Sequence, residues 1–218
     1  GQEMGPVAIE SVPATLRFLD KVGTIEITKT DAVSGRKLAG AAFDVIASDG
    51  TKVAEGVTTN RLGKAEVKEV PFGTYRIVEV SAPSGYVVAP EVTVEHNEEK
   101  TAVTVADERA KANALLVKRD ATTAEPVLGA TFELTKYSGG FWLAVDGGAY
   151  TTDENGEILI EDLDWGSYRL TETECAGYEL LPRPLSFTVD ASNAKGAVEP
   201  VKVGGVLGVT NRQKPTTV

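Results

Sequence analysis

The sequence contains two copies of one pattern, and this repeat restricts the fold more than any other feature. The first copy opens with Lys29-Thr30-Asp31 and the second with Lys118-Arg119-Asp120. A Gly-Ala-x-Phe segment follows each lysine at the same distance, and a longer stretch then aligns without a gap. These further matched pairs are 40–43 with 129–132 and 58–75 with 151–168. A chain of 218 residues that repeats itself in this way is expected to form two domains of one fold.

Both copies have the pattern of short β-strands joined by turns. Apolar and polar residues alternate in 24–28, 74–80 and 101–105, as in strands with one buried face. Turn sequences such as Pro83-Ser84-Gly85 and Asn155-Gly156 separate the strands at short intervals. No segment carries an apolar stripe of helical period over three turns. The sequence therefore predicts an all-β protein made of two tandem β-sandwich domains.

The repeat also sets the expected domain boundaries. They are a leader at 1–21, a first sandwich at 22–110, a second sandwich at 111–213 and a tail at 214–218. Little sequence remains between the sandwiches for a flexible linker. Within the leader, Leu16, Phe18 and Asp20 alternate like the last strand of a further repeat, which would make Asp20 an orphaned acceptor or an acceptor for a strand from another molecule. The alternative is an ordered leader that packs on the first domain.

Composition and charge exclude several classes of function. The net charge of −10 would repel the phosphates of nucleic acid. No stretch approaches the roughly 20 apolar residues that cross a bilayer, so no membrane contact is expected. Cys175 is the only cysteine and His96 the only histidine, which excludes an intrachain disulfide and a Cys/His metal cluster. No metal or other cofactor is therefore expected.

Three polar residues in each repeat continue the apolar alternation of a strand. They are Lys29, Glu79 and Asp107 in the first repeat and Lys118, Glu172 and Asn211 in the second. Their apolar neighbours in phase are Ile25 and Ile27, Tyr75 and Ile77, Val103 and Val105, then Leu116, Tyr168 and Leu170, Leu207 and Val209. Because side chains alternate between the two faces of a strand, all six polar residues are expected to face a core.

A buried charge without a partner costs several kcal/mol, so these six groups must pair, lose their charge or react. One interpretation is a buried salt bridge in each repeat, or side chains that reach water at the strand ends. The other is a covalent reaction between neighbours. The phase alone leaves both interpretations open.

Both repeats resemble the B-type repeat domain of the collagen adhesin, the Cna B-type domain of Gram-positive adhesins and pilins. Residues 23–31 resemble the opening strand of that family, which carries its reactive lysine. Residues 75–86 match its glutamate box almost fully, from Tyr75-x-Ile77-x-Glu79 to Ala82-Pro83-x-Gly85-Tyr86. The corresponding box at 168–178 is one residue shorter and lacks the proline, but it keeps Glu172.

The resemblance implies an immunoglobulin-like sandwich that is closed by an isopeptide bond in each repeat. Asp107 and Asn211 occupy the place of the Asn or Asp that ends the last strand in the family. The implied bonds are Lys29–Asp107, with loss of water, and Lys118–Asn211, with loss of ammonia. The implied role of Glu79 and Glu172 is to hydrogen-bond the target carbonyl and shuttle protons. Burial favours the neutral forms of amine and carboxyl that this reaction needs.

The implied function is that of a stalk or pilin-like segment on the cell wall of a Gram-positive bacterium, outside the cell. Each implied bond joins a first strand to a last strand, so tension would pass through it. Other repeats of the same surface protein or pilus are the expected partners. The reaction is a single self-modification, so the chain is not expected to be an enzyme.

Two other functions compete with the stalk. The second repeat has a Gly-rich insertion, 137–150, in which Phe141 and Trp142 would contact host extracellular matrix if the chain were a ligand-binding adhesin module. Alternatively, Trp142 covers the edge of the sandwich. A carbohydrate-binding or hydrolytic sandwich would need paired carboxylates. Glu161, Asp162 and Asp164 offer them, but the repeat match and Gly166 indicate a turn.

Overall fold

The computed structural model describes residues 21–205 and 208–215, and the leader with Asp20 and the in-phase residue Leu207 lie outside these ranges. Within them the chain forms strands and turns. The first repeat has the strands β1 (Val22–Asp31), β2 (Ala42–Ala47), β3 (Lys52–Thr58), β4 (Lys64–Pro71), β5 (Gly73–Ser81), β6 (Val92–His96) and β7 (Lys100–Asp107). The second has β8 (Ala112–Asp120), β9 (Thr131–Ser138), β10 (Phe141–Thr151), β11 (Glu157–Leu163), β12 (Gly166–Glu174), β13 (Leu185–Val189), β14 (Gly196–Val203) and β15 (Val209–Asn211).

Each repeat is a sandwich of two sheets with the same topology. In the first repeat, a sheet of order β4-β1-β7 faces one of order β3-β2-β5-β6. In the second, β11-β8-β14 faces β10-β9-β12-β13, and β15 also pairs with β8. The predicted all-β fold in two tandem copies is therefore confirmed.

The opening strand of each repeat lies in the middle of its sheet, which explains its burial. β1 pairs with β4 antiparallel and with β7 parallel, and β8 pairs in the same way with β11 and with β14 and β15. Ile25 and Ile27 are fully buried, as is Leu116 at the equivalent place in β8. The first and last strands of each repeat are thus neighbours that run in the same direction.

Each sandwich has its own core. Phe43 and Ile77 lie at the centre of the first core, and Phe132 and Leu170 hold the equivalent places in the second. All four side chains are fully buried. Burial of this apolar surface is the main driving force for folding, so each repeat has the means to fold as a unit.

The insertion in the second repeat forms a hairpin. β9 and β10 are joined at Gly139-Gly140, both with positive φ, and β10 is the edge strand of its sheet. Phe141 is 71% exposed. Trp142 lies between Tyr137, at a ring distance of 5.2 Å, and the guanidinium of Arg169, at 3.9 Å from its ring. The indole thus packs on the outer face of this sheet.

The two repeats touch around Trp165, which lies in the turn before β12. Its ring makes an edge contact with Tyr86 at 5.3 Å and a cation–π contact with Arg109 at 4.8 Å. Its Nε1 donates a hydrogen bond to the carbonyl of Ala110 at 3.0 Å. Ser84 also donates to the carbonyl of Ala191 at 3.1 Å. Only four residues, 108–111, separate β7 from β8, in keeping with the short linker that the sequence predicts.

Over residues 21–205 and 208–215, no helix is long and apolar enough to cross a membrane. Within the same ranges, no three His, Cys, Asp or Glu side chains are placed to hold a metal ion together.

Candidate functional site

The first repeat brings three of the predicted residues together inside its core. Lys29 on β1, Glu79 on β5 and Asp107 on β7 have side chains that are fully buried. The Nζ of Lys29 donates to Oε2 of Glu79 at 2.9 Å and to Oδ1 of Asp107. The lysine therefore bridges the two sheets and contacts both carboxyls at once.

Strand register explains this meeting. In the parallel pair β1–β7, Lys29 lies opposite Val105, so Asp107 is its diagonal neighbour on the same face. Glu79 comes from the facing sheet, where its cross-strand partner is Phe43. The ring of Phe43 lies 5.6 Å from the lysine Nζ and forms an apolar wall of the site.

The electrostatics of this site favour an extra proton. Burial raises the pKa of Asp107 to about 6; Lys29 opposes this rise and Glu79 adds to it. Oε1 of Glu79 and Oδ2 of Asp107 have no hydrogen-bond partner among the described residues. One ammonium with two carboxylates leaves a net negative charge in the core, and one added proton removes it.

The second repeat assembles the same site with an amide in place of one carboxyl. Lys118 on β8 is fully buried, and its Nζ lies 3.6 Å from Oε1 of Glu172 on β12. Asn211 on β15 donates from Nδ2 to Oε2 of Glu172 at 2.7 Å. Neither the Nζ of Lys118 nor Oδ1 of Asn211 has a hydrogen-bond partner among the described residues.

Burial has a direct effect on the amine in the second repeat. Desolvation lowers the pKa of Lys118, and the charge of Glu172 only partly opposes this. A lysine with a lowered pKa spends more time as the neutral, nucleophilic amine. The site thus holds a lysine amine and a carboxamide on either side of one carboxyl, that of Glu172.

Each glutamate is held in place by a backbone N–H that the sequence did not indicate. Ala89 donates to Oε2 of Glu79 at 2.8 Å, and Leu181 donates to Oε2 of Glu172 at 2.8 Å. Both donors lie in the segment that follows the glutamate box. They fix the carboxyl orientation: in the first repeat the same Oε2 also accepts from Lys29, and in the second repeat the other oxygen, Oε1, lies nearest to Lys118.

The other candidates do not form a site. Glu161 and Asp162 lie near the end of β11, and Asp164 lies in the turn that follows it. The Asp164 carboxylate is 68% exposed, with Lys111 and Lys136 at 3.9 and 4.0 Å, so it faces solvent. The aromatic residues Phe141 and Trp142 lie on the hairpin described above and are not part of either triad.

The comparisons with known proteins identify the family of the two repeats. A family model described as "SpaA: Prealbumin-like fold domain" matches residues 23–109 and 112–202. The chain belongs to the SpaA prealbumin-like fold family. It contains two SpaA domains in tandem, so the expected tandem pair of Cna B-type-like domains is confirmed. Among proteins with curated descriptions, none matches the chain in sequence.

Several solved structures are similar to this chain. The Bacillus anthracis TIE protein is 26% identical with a TM-score of 0.52, over 88% of this chain and 34% of its own. This chain therefore spans about a third of that protein. A streptococcal ancillary pilin is 23% identical with a TM-score of 0.42, over 89% of this chain and 63% of its own. BcpA, the major pilin subunit of Bacillus cereus, is 14% identical with a TM-score of 0.36, over 89% of this chain and 100% of its own. At TM-scores below 0.5, nothing further follows from the last two.

A second polar cluster lies beside each triad in the SpaA domains. Asp31 and Asp120, two residues beyond the lysines, are almost fully buried. The recurring Lys-x-Asp at 29–31 and 118–120 is the sequence signal that marks them. Without the fold it did not reveal their partners, because those come from distant parts of the chain.

Proposed function

We propose that the chain is a load-bearing segment of a Gram-positive surface stalk or pilus, stapled by one isopeptide bond in each SpaA domain. The observation that carries this proposal is a buried lysine on the first strand and an acyl side chain on the last strand of each domain. Lys29 contacts Asp107 directly, and Lys118 and Asn211 both contact the carboxyl of Glu172. A surface position outside the cell wall and neighbouring repeats as partners follow from the same proposal.

In the first domain, the reaction joins Lys29 to Asp107. The neutral amine attacks the Cγ of the protonated Asp107 carboxyl, the new C–N bond forms, and a C–O bond breaks with loss of water. Glu79, which contacts the lysine Nζ at 2.9 Å, gives its proton to the leaving oxygen and takes back the proton that the amine loses. Contact between the reacting groups supplies the high effective concentration that amide formation in water lacks.

In the second domain, Lys118 attacks the Cγ of Asn211 and ammonia leaves. The Asn211 amide already donates to Glu172, so the leaving nitrogen lies beside the group that protonates it. Each lysine reacts once and stays bound, so neither domain turns over a substrate.

The mechanical consequence follows from the parallel pairing of first and last strands. Tension that enters along β1 passes through the Lys29–Asp107 bond and leaves at the end of β7. The 78 positions that separate the two residues then carry no load. A cross-link around a loop of this size also stabilises the fold by several kcal/mol in the chain-entropy description.

Single-molecule pulling tests the stalk function. The wild-type chain is expected to show no unfolding step in either domain. Glu79→Ala, which lacks the proton-transfer group of the first domain, should release one step of about 250 Å, since extended residues span roughly 3.3–3.6 Å each. Glu172→Ala is the matched variant for the second domain. Two such steps in the wild-type chain would contradict the stalk function.

A second candidate function rests on the exposed hairpin. Phe141 and Leu143, which lie on the same face of β10, are 71% and 54% exposed, an aromatic and apolar pair suited to binding a protein surface. Under the adhesin proposal, Phe141→Ala weakens binding to immobilised host matrix proteins and leaves the unfolding midpoint unchanged. Equal binding by wild type and variant would remove this candidate. Trp142→Ala is a less selective probe, because Trp142 also packs on Arg169.

A further inference from the structure

Each SpaA domain has a second buried carboxylate beside its triad, at the end of the strand that carries the lysine. Asp31 is 1% exposed and Asp120 is 2% exposed. Each lies two residues after the reactive lysine and is directly paired in register with the acceptor, Asp31 with Asp107 and Asp120 with Asn211. Neither carboxylate takes part in the proposed bond formation.

In the first domain, Asp31 uses both of its oxygens. Oδ1 accepts from the backbone N–H groups of Val33 and Ser34 at 2.9 and 2.7 Å, which fixes the turn after β1. Oδ2 accepts from the Tyr86 hydroxyl at 2.7 Å and from Nε of Arg109 at 2.8 Å. Burial alone would raise the pKa of this carboxyl, but its hydrogen bonds to Arg109, Ser34 and Tyr86 hold that pKa well below its usual range.

The second domain repeats the arrangement with a neutral partner. Oδ1 of Asp120 accepts from the backbone of Thr122 and Thr123 at 2.7 and 2.9 Å, and Oδ2 accepts from Nε2 of Gln213 at 2.8 Å. The backbone N–H groups of Thr123 and Thr122 lower the pKa of Asp120 to about 2 against the effect of burial, and Gln213 and Tyr178 contribute. Gln213 thus takes the place that Arg109 has in the first domain.

The residues of this second cluster lie on the same three segments of the chain as the residues of the triad. Arg109 follows Asp107 by two residues, just as Asp31 follows Lys29. Tyr86 ends the glutamate box that contains Glu79. Two backbone contacts tie the same segments together: Ala32 N–H donates to the Asp107 carbonyl at 2.9 Å, and Tyr86 forms an antiparallel bridge with Arg109. One carboxylate therefore joins the three segments that carry the three reacting groups.

We propose that Asp31 and Asp120 are positioning residues for isopeptide formation, which hold the end of the last strand in register so that its acyl carbon stays within reach of the lysine. This inference rests on the proposed function. Asp107 and Asn211 are the last residues of their strands, where pairing is otherwise weakest. A displacement of about 1 Å at reacting groups can reduce a rate by up to about 10²-fold.

The rate of bond formation in each domain tests this directly. The full chain is made by cell-free synthesis, samples are denatured in acid at intervals, and the linked peptides of the two domains are quantified by mass spectrometry after proteolysis. Asp31→Ala should slow the first bond by about 10- to 100-fold and leave the second bond unchanged. Asp120→Ala should do the reverse, so each domain is the internal control of the other.

Further variants separate positioning from a loss of folding. Asp49→Ala is the matched control, because Asp49 also caps a turn of the first domain, at Thr51, but is exposed. Tyr86→Phe removes a single hydrogen bond to Asp31 and should slow the first bond several-fold even if Asp31→Ala does not fold. Arg109→Gln, which installs the partner found in the second domain, should recover most of the rate that Arg109→Ala loses.

The outcomes distinguish this inference from the proposed function. If the wild-type chain forms no bond, the proposed function fails. If the wild type forms both bonds but Asp31→Ala and Tyr86→Phe form the first at the wild-type rate, the positioning role alone is wrong. Equal slowing by Asp31→Ala and Asp49→Ala would also overturn it, because any damaged turn would then suffice.

Discussion

At the scale of residues, both triads consist of groups that are costly to bury. A lysine ammonium with two carboxyls loses its hydration in the core, and ion pairs in such places often fail to repay that cost. Lys29 keeps two partners, whereas the Nζ of Lys118 lies 3.6 Å from its carboxylate without a hydrogen bond. A covalent amide removes the charges altogether, which gives these residues a reason to lie in an otherwise apolar core.

The difference between Asp107 and Asn211 predicts different pH profiles for the two bonds. The reactive form of the first site has two protons on its two carboxyls and a neutral amine. The pKa of Asp107 is raised to about 6, so the Asp107 carboxyl loses its proton above that pH. The first bond should therefore form about ten times more slowly at pH 7 than at pH 5, since the protonated fraction is about 0.9 one pH unit below the pKa and about 0.1 one unit above it.

The second site needs only one proton, shared between Lys118 and Glu172, and its acceptor does not titrate. Its rate should stay constant from pH 6 to pH 7, because the ion pair and the neutral pair contain the same number of protons. The measurement is the initial rate of each bond by peptide mass spectrometry. A parallel decline of both bonds above pH 6 would contradict this assignment of protons.

At the scale of elements, alternation predicted the strands and the inward direction of the triad residues. Ile25, Ile27, Tyr75 and Ile77 are all buried, and Lys29 continues their phase into the core. This succeeded because a central strand in a two-layer sandwich has a strict period of two. The phase of Leu207 cannot be compared, since it lies outside the described residues, but Val209 and Asn211 are buried as predicted.

Other features were beyond prediction because they depend on contacts between distant segments. The last strand of the second domain is divided into β14 and β15, since positive φ angles at Gly204, Gly205 and Gly208 interrupt it. The donors Ala89 and Leu181 lie in loops with no periodic pattern. The glycine-rich composition of the insertion 137–150 is compatible with a loop or with a hairpin, and the pairing of β10 with β9 shows that it is a hairpin.

The turn before β11 supports β8 next to Lys118, whose N–H donates to the carbonyl of Gly156, and this glycine can be tested. Gly156 has a φ of +73°, and a Cβ at this position would overlap the carbonyl oxygen of Lys118. Gly129 has a similar φ of +80° but open space around it. Gly129→Ala should thus cost about 1 kcal/mol of unfolding free energy from backbone strain, and Gly156→Ala about 2–4 kcal/mol from strain plus overlap.

Denaturant unfolding followed by tryptophan fluorescence measures this difference, because both tryptophans, Trp142 and Trp165, belong to the second domain. Equal destabilisation by the two substitutions would show that the contact with Lys118 contributes nothing.

At the scale of the whole molecule, the contacts of Trp165 connect the two domains next to the proposed staple. Arg109 binds Asp31 in the first domain and lies over the ring of Trp165 in the second. The linker carbonyl of Ala110 accepts from the same indole. Load leaving β7 therefore enters a short segment that is fixed on both sides, which suits a stiff stalk better than a chain of free domains.

Trp165→Ala should loosen the orientation of the domains. Spin labels on cysteines at the exposed positions Lys52 and Ser186, with Cys175→Ala to remove the native thiol, should give a narrow distance distribution by pulsed electron resonance. The variant should broaden it. Trp142→Ala is the matched control and should leave the distribution narrow. A wild-type distribution as broad as that of Trp165→Ala would contradict a stiff junction.

The intact mass of the denatured protein tests the central claim most directly. Two bonds remove one water and one ammonia, a loss of about 35 Da from the sequence mass, because each is a covalent modification. Glu79→Ala should reduce the loss to about 17 Da and Glu172→Ala to about 18 Da. The predicted result is the full loss in the wild-type chain and these partial losses in the variants. A wild-type mass equal to the sequence mass would contradict the account and leave both triads as buried, unreacted polar clusters.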